Sequence, residues 1–208
     1  MFAIVRRAPY ALMLLLALFV GLISLRYLFP QIPGFQADNV VANRFAAPFL
    51  PIHAGAAVAA LVLGPFQFWG RKDGRRAVWH PLSGALYMLA CFVGGATGLV
   101  LALGTTSGPI ALMGFGLLAV AWLYANGKGL AAVLGRRYAE HRRWMIRSYA
   151  LTFAAVMLRL YLPLSGVLGL DFTTAYVAIS WLCWVPNLIV AELLFVRARP
   201  HAPALQPA

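Results

Sequence analysis

His53, His80, His141, Arg147, Arg159, Asn187 and Glu192 share one property: each falls inside, or at the end of, a long apolar run. An arginine near the middle of a membrane span costs at least about 2.5–3.5 kcal/mol on insertion scales, so it needs a partner or a task. Arg159 is the most diagnostic of the set. It follows Trp144 by about 22 Å of helix, in the outer half of its span, too far from either interface for easy snorkelling. His53, near the start of an earlier span, and Asn187 are its candidate neighbours in an intramembrane polar site. Arg159 in such a site suits an anionic or quinone-like small molecule reached from outside.

A second group gathers at the inner surface. His80 opens one span, His141 precedes another, and Arg147 and Glu192 each lie about one turn inside. Arg147 and Glu192 stand at similar depth on consecutive spans, and a carboxylate in lipid most needs a cationic partner, so the two form a plausible ion pair. His80 and His141 allow two readings. Neutral imidazoles near the ends of membrane helices are the usual ligands of haem b, and these two converge if their spans are neighbours. Alternatively, each bonds backbone or lipid headgroup at its own helix end. His53, alone on the outer side, cannot build a second bis-histidine site.

Other chemistries lack their residues. No glycine-rich phosphate loop, Ser-His-Asp constellation or His-Glu-x-x-His motif occurs. Of five carboxylates only Glu192 falls within a span, which disfavours paired-carboxylate acid–base work. No Cys-x-x-Cys exists, and no metal is assigned; Cys91 and Cys183 lie inside spans and read as small buried hydrophobes. Whether the chain is an enzyme stays open.

The elements that must position these residues are membrane helices. The chain is 208 residues long, 62% hydrophobic and 11% charged, with a mean hydropathy of +0.81. A soluble domain of this size needs far more polar residues to cover its surface. Apolar runs at 10–29, 49–69, 80–103, 110–124, 144–168 and 173–196 predict an all-α, polytopic membrane helical bundle of six transmembrane helices. The first is expected to be an uncleaved span. The expected organisation is residues 1–47 as first helix and external loop, 48–199 as a five-helix core, and 200–208 as a disordered tail carrying His201.

A net charge of +12 would suggest nucleic acid in a soluble protein. Here the basic residues fall in alternate segments: Arg6 and Arg7; Arg71, Lys72, Arg75 and Arg76; Lys128 to Arg143; Arg197 and Arg199. The positive-inside rule then puts both termini in the cytoplasm, and the partner is a lipid bilayer rather than nucleic acid. Trp69, Trp79, Trp144 and Tyr138 read as anchors at the inner boundary. Gly94 and Gly98 form a small-xxx-small pair that admits a close neighbour, and Gly64-Pro65 predicts a kink.

Several strings are familiar together: His53 followed by Leu63-Gly64-Pro65-Phe66-Gln67-Phe68; His80-x-x-x-Gly84-x-x-Tyr87; His141-Arg142-Arg143-Trp144-Met145-Ile146-Arg147-Ser148-Tyr149; and Trp181-Leu182-Cys183-Trp184-Val185-Pro186-Asn187 with Glu192. The chain from Pro48 to Arg197 resembles predicted bacterial membrane proteins catalogued as domain of unknown function 2306, and the His141–Tyr149 string is the most specific motif. The resemblance implies a bacterial cytoplasmic membrane and no particular activity. Three functions are carried forward: a small-molecule site at His53, Arg159 and Asn187; a haem b electron-transfer protein using His80 and His141; and a structural partner subunit whose polar groups only satisfy one another.

Overall fold

The computed structural model describes residues 2–29, 42–68 and 78–197, residues 2–7 without their side chains. Among these residues all regular structure is helical, and six helices are long and apolar enough to cross a membrane. Trp69, the basic residues 71–76, Arg199, His201 and part of the external loop lie outside the described residues.

Span I is α1 (Phe2–Ser24), closed by a 3-10 turn at Leu25–Leu28. Span II is α2 (Ala46–Gln67), span III is α3 (His80–Leu103) and span IV is α4 (Pro109–Leu134). Span V is built from α5 (Tyr138–Thr152) and α6 (Ala154–Val167). Span VI is built from α7 (Phe172–Leu182) and α8 (Val185–Ala191), followed by a π turn at Glu192–Val196. The starts are written in the sequence. Pro81 and Pro109 occupy the first turns of α3 and α4, where a missing N–H costs nothing. Gly108, at φ +89°, makes the left-handed turn that aims α4 back into the bundle. Asp171 caps α7 by accepting the Thr174 N–H at 2.9 Å.

Span V sits at the centre. It packs against spans I, II, IV and VI, and is joined to span III through Tyr87. Spans II, III, IV and V close a four-helix ring, with span I laid against spans II and V and span VI against spans IV and V. The lipid-facing surface is rich in exposed leucine, valine and phenylalanine, as in Leu12, Leu15, Phe19, Leu86 and Leu89. We refer below to the end carrying His80, Lys128, Arg142 and Arg197 as the basic end, and to the other, with Asn43, Thr105 and Asp171, as the opposite end.

Two expected boundaries and one expected kink differ. Span IV continues ten residues beyond Tyr124, through Asn126-Gly127-Lys128-Gly129, a string with the composition of a turn. The helix survives because the Asn126 side chain is satisfied internally, its Nδ2 donating to Trp122 O at 2.8 Å. Gly129 lets Met145 close against α4. Span V starts at Tyr138, so His141, Arg142 and Arg143 are helical rather than part of a loop. The expected Gly64-Pro65 kink brings no break, since α2 keeps helical dihedrals through both residues. Gly64 instead makes room for the Tyr149 ring, which a Cβ would overlap. Breaks do occur at Phe153 in span V and at Cys183–Trp184 in span VI.

Candidate functional site

Between the spans, the half of the bundle nearer the basic end holds a buried polar knot. Tyr87 Oη lies 2.7 Å from Ser148 Oγ and 3.2 Å from Thr152 Oγ1. Ser148 Oγ donates to Asn126 Oδ1 at 3.0 Å, and Trp122 Nε1 donates to Thr152 Oγ1 at 3.0 Å. Asn126 and Ser148 are both 0% exposed. Each polar atom in this knot has a partner, as a water-free interior requires. Sequence reading missed the knot. Its one available signal is Asn126, which lies just past the expected end of span IV at residue 124.

Closer to the basic end, Arg147 holds Glu192 with two parallel bonds, Nε to Oε2 at 2.9 Å and Nη2 to Oε1 at 3.1 Å. Its guanidinium also lies 4.5 Å from the centre of the Trp144 ring. Arg197 Nε takes the second face of Glu192 Oε1 at 3.2 Å. The pair expected between spans V and VI is therefore present. The forked geometry is the strong form of such a bond.

His141 faces α4, where its Nδ1 donates to the Gly129 carbonyl at 2.9 Å. His80 is the first residue of α3. The helices that carry them meet at Tyr87 and Ser148, seven residues or about 10 Å deeper than either histidine. Neither histidine lines the cavity described next.

The half towards the opposite end is hollow. A cavity of about 240 Å³ opens between the six spans, with Trp122, Thr152 and Phe115 among its walls and Tyr27, His53, Thr105, Arg159 and Tyr176 among its polar features. His53 sits on the glycine pair of α3. Its Nδ1 donates to Gly94 O at 2.9 Å, and a Cβ on Gly98 would come within 3.0 Å of its ring. The small-xxx-small motif thus seats an imidazole of α2, and Gly94 also touches the Trp122 ring. Because a carbonyl only accepts, Nδ1 carries the hydrogen, and in the neutral ring Nε2 keeps its lone pair.

Arg159 projects from α6 into the same cavity. Its Nη1 donates back to Ala155 O at 3.2 Å, and the guanidinium carbon lies 5.4 Å from the centre of the Tyr27 ring. Its Nε is buried and makes no hydrogen bond. None of the ion pairs among the described residues involves it. A buried charged donor without an acceptor is the costliest kind of polar group to leave unmatched.

The structure therefore brings His53 and Arg159 together and leaves Asn187 out. Asn187 Nδ2 donates to Cys183 O at 2.9 Å and to Ala150 O at 3.4 Å, tying the break in span VI to span V. The grouping of Asn187 with the cavity residues is corrected accordingly: a helix break exposes carbonyls, and the amide is spent on them. Tyr27, which sequence reading passed over, takes the vacant place against Arg159. Among the described residues no group of three or more His, Cys, Asp or Glu side chains is arranged to hold a metal ion.

Compared with known proteins, residues 50–195 match the model of a family described as predicted membrane protein, domain of unknown function 2306 (DUF2306). No curated protein and no solved structure matches the chain. The matched stretch contains His53 and Arg159 but begins after Tyr27, so one wall of the cavity comes from outside it.

Proposed function

The chain belongs to this family of predicted membrane proteins, and from that premise we propose that it binds a small anionic or quinone-like molecule in the cavity between its six spans. Arg159 is the principal donor and His53 the second polar contact. The observation that carries this reading is the unpartnered Nε of Arg159 in the cavity wall. The two other charges of the sequence-predicted intramembrane set are matched: Arg147 by Glu192 and Trp144, and Glu192 by two arginines. Among the described residues Arg159 alone has a buried side-chain donor atom without an acceptor, and its side chain lines a space large enough for a ligand.

By the positive-inside rule the basic end faces the cytoplasm of a bacterial inner membrane, and the cavity then lies in the outer half of the bilayer. A ligand would reach it from the outer side, past Asn43 and Thr105.

The test is ligand-dependent stability. Purified full-length protein is melted in detergent with benzoate and with duroquinone as probes. At about one hundred times Kd a bound ligand adds about 2.7 kcal/mol, a shift of several degrees in Tm. The wild type is expected to gain this with at least one probe, and Arg159→Leu is expected to gain nothing. An undiminished shift in Arg159→Leu sinks the reading.

A further inference from the structure

Resting on the reading of this cavity as a ligand site, we propose that its occupant is an organic monocarboxylate: one negative charge on a small apolar body, in preference to a neutral ring of the same size. The inference rests on charge rather than on a count of hydrogen bonds. A guanidinium stays ionised, so Arg159 brings one full positive charge to the cavity wall. Among the described residues no carboxylate lines the cavity, and no ion pair involves Arg159.

The other polar groups of the wall leave that charge uncancelled. Tyr27 Oη accepts from Arg26 Nη2 at 3.0 Å, which keeps the Tyr27 hydrogen for a ligand. Thr105 Oγ1 likewise accepts the Ser107 N–H at 3.3 Å and keeps its own hydrogen to give. The Tyr176 hydroxyl can donate and accept, and His53 presents a lone pair when neutral and an N–H when protonated. None of these groups is an anion at neutral pH. The positive field is reinforced at the end of span I. There the Tyr27 ring has two guanidinium groups against it, Arg159 at 5.4 Å and Arg26 at 4.9 Å from its centre.

Charge and size together narrow the class. An anion meets a buried cation with a charge-assisted bond, about twice as strong as a neutral one, and also cancels the charge that burial penalises. A neutral carbonyl does only the weaker part of this. A single guanidinium leaves the second charge of a dianion uncompensated. Leu50, Val58, Leu61, Phe115 and Leu158 give the cavity apolar surface, which a bare inorganic ion would leave unfilled. An apolar cavity of about 150 Å³ accommodates benzene, so about 240 Å³ takes a ring or short chain together with its carboxylate.

The experiment is equilibrium dialysis of full-length protein in a neutral detergent and chloride-free buffer. The probes are benzoate, its neutral isostere benzamide, the dianion phthalate, and duroquinone, and saturable binding is compared. Benzoate is expected to bind about tenfold or more tightly than each of the others. Arg159→Leu should abolish that preference, and Arg159→Lys, which keeps the charge, should retain it. The wild-type ratios require no variant, so a misfolded one cannot rescue the proposal. Benzamide or duroquinone bound as tightly as benzoate overturns it, while leaving the cavity a ligand site where Arg159→Leu weakens that binding. Phthalate bound as tightly as benzoate also overturns it, as does benzoate binding that Arg159→Leu leaves unchanged. Saturable binding of none of the four removes both the proposal and the reading beneath it.

Discussion

Arg147 and Arg159 stand twelve residues apart on the same span, about 18 Å along its axis, and the bundle treats them in opposite ways. Arg147 is clamped by both oxygens of Glu192 and stacked on Trp144. Arg159 has one backbone carbonyl, one ring face, and a buried Nε with nothing to bond. Arg147 borders only an open groove shared with Glu192 and Trp184, beside the knot of Tyr87, Ser148, Asn126, Thr152 and Trp122; Arg159 borders the cavity between the spans. The same side chain is a structural tie where the protein supplies its acceptor. Where the protein supplies only space, it is a binding group. Depth alone does not distinguish the two roles.

The largest expected effect comes from breaking the tie. Losing one partner of a fully buried pair costs about 3–5 kcal/mol. The side chains of Arg147 and Glu192 keep 22% and 25% of their surface exposed, so the cost should be smaller, about 1–3 kcal/mol for Glu192→Gln or Arg147→Gln. The double variant should be less damaging than either alone, because it strands no charge. Unfolding in mixed detergent–SDS micelles, run as a double-mutant cycle, measures both quantities. Two neutral single variants would remove the contrast between the arginines.

Arg159→Leu is expected to fall on the other side of zero. Removing an unmatched buried donor relieves about 1–3 kcal/mol, against about 0.5–1 kcal/mol of lost interaction with Tyr27 and some lost packing. The ligand-free variant should therefore be as stable as the wild type or up to about 1 kcal/mol more stable in the same titration. A loss as large as that of Glu192→Gln would make Arg159 a second tie and leave the cavity without its main donor.

Much of this contrast was legible in the sequence. Six apolar runs with basic segments between alternate pairs specify the number of helices, because lipid allows no other way to satisfy a spanning backbone. Depth counting placed Arg147 beside Glu192, since both are one turn from the same interface. What could not be read was rotation about the helix axes. His53 and Asn187 sit on spans that both pass Arg159, yet only His53 faces it, because the glycines of α3 make a seat for an imidazole. Asn187 is claimed by carbonyls freed at a helix break that the apolar pattern hides. Asn126 was lost for a related reason: beside Gly127 it has the look of a turn, and only the neighbouring Ser148 makes it a core residue. Tyr27 was lost because an aromatic at a span end is usually an interface anchor.

The smallest effect belongs to a site in neither half, and it sharpens the contrast by being independent of it. Asp171 is exposed at the start of α7, where the Thr174 N–H and hydroxyl both donate to Oδ2 at 2.9 Å. These bonds favour the charged carboxylate and hold its pKa below the usual carboxylate range. A folded-state pKa below the unfolded value of about 3.9 means the cap contributes fully above that pH. The contribution is lost as pH falls through the folded value. Asp171→Ala should therefore lower stability slightly at neutral pH and not at all in acid. Asp171→Asn should keep the cap and flatten the pH dependence. Because α7 carries Tyr176 to the cavity wall, the same variants also report on coupling. If α7 is held by packing against α4 and α6 rather than by its cap, the Arg159-dependent ligand shift should be the same in Asp171→Ala as in the wild type. A shift lost together with the cap would mean that the hollow half depends on its rim, and that the cavity is formed by the loops as much as by the helices.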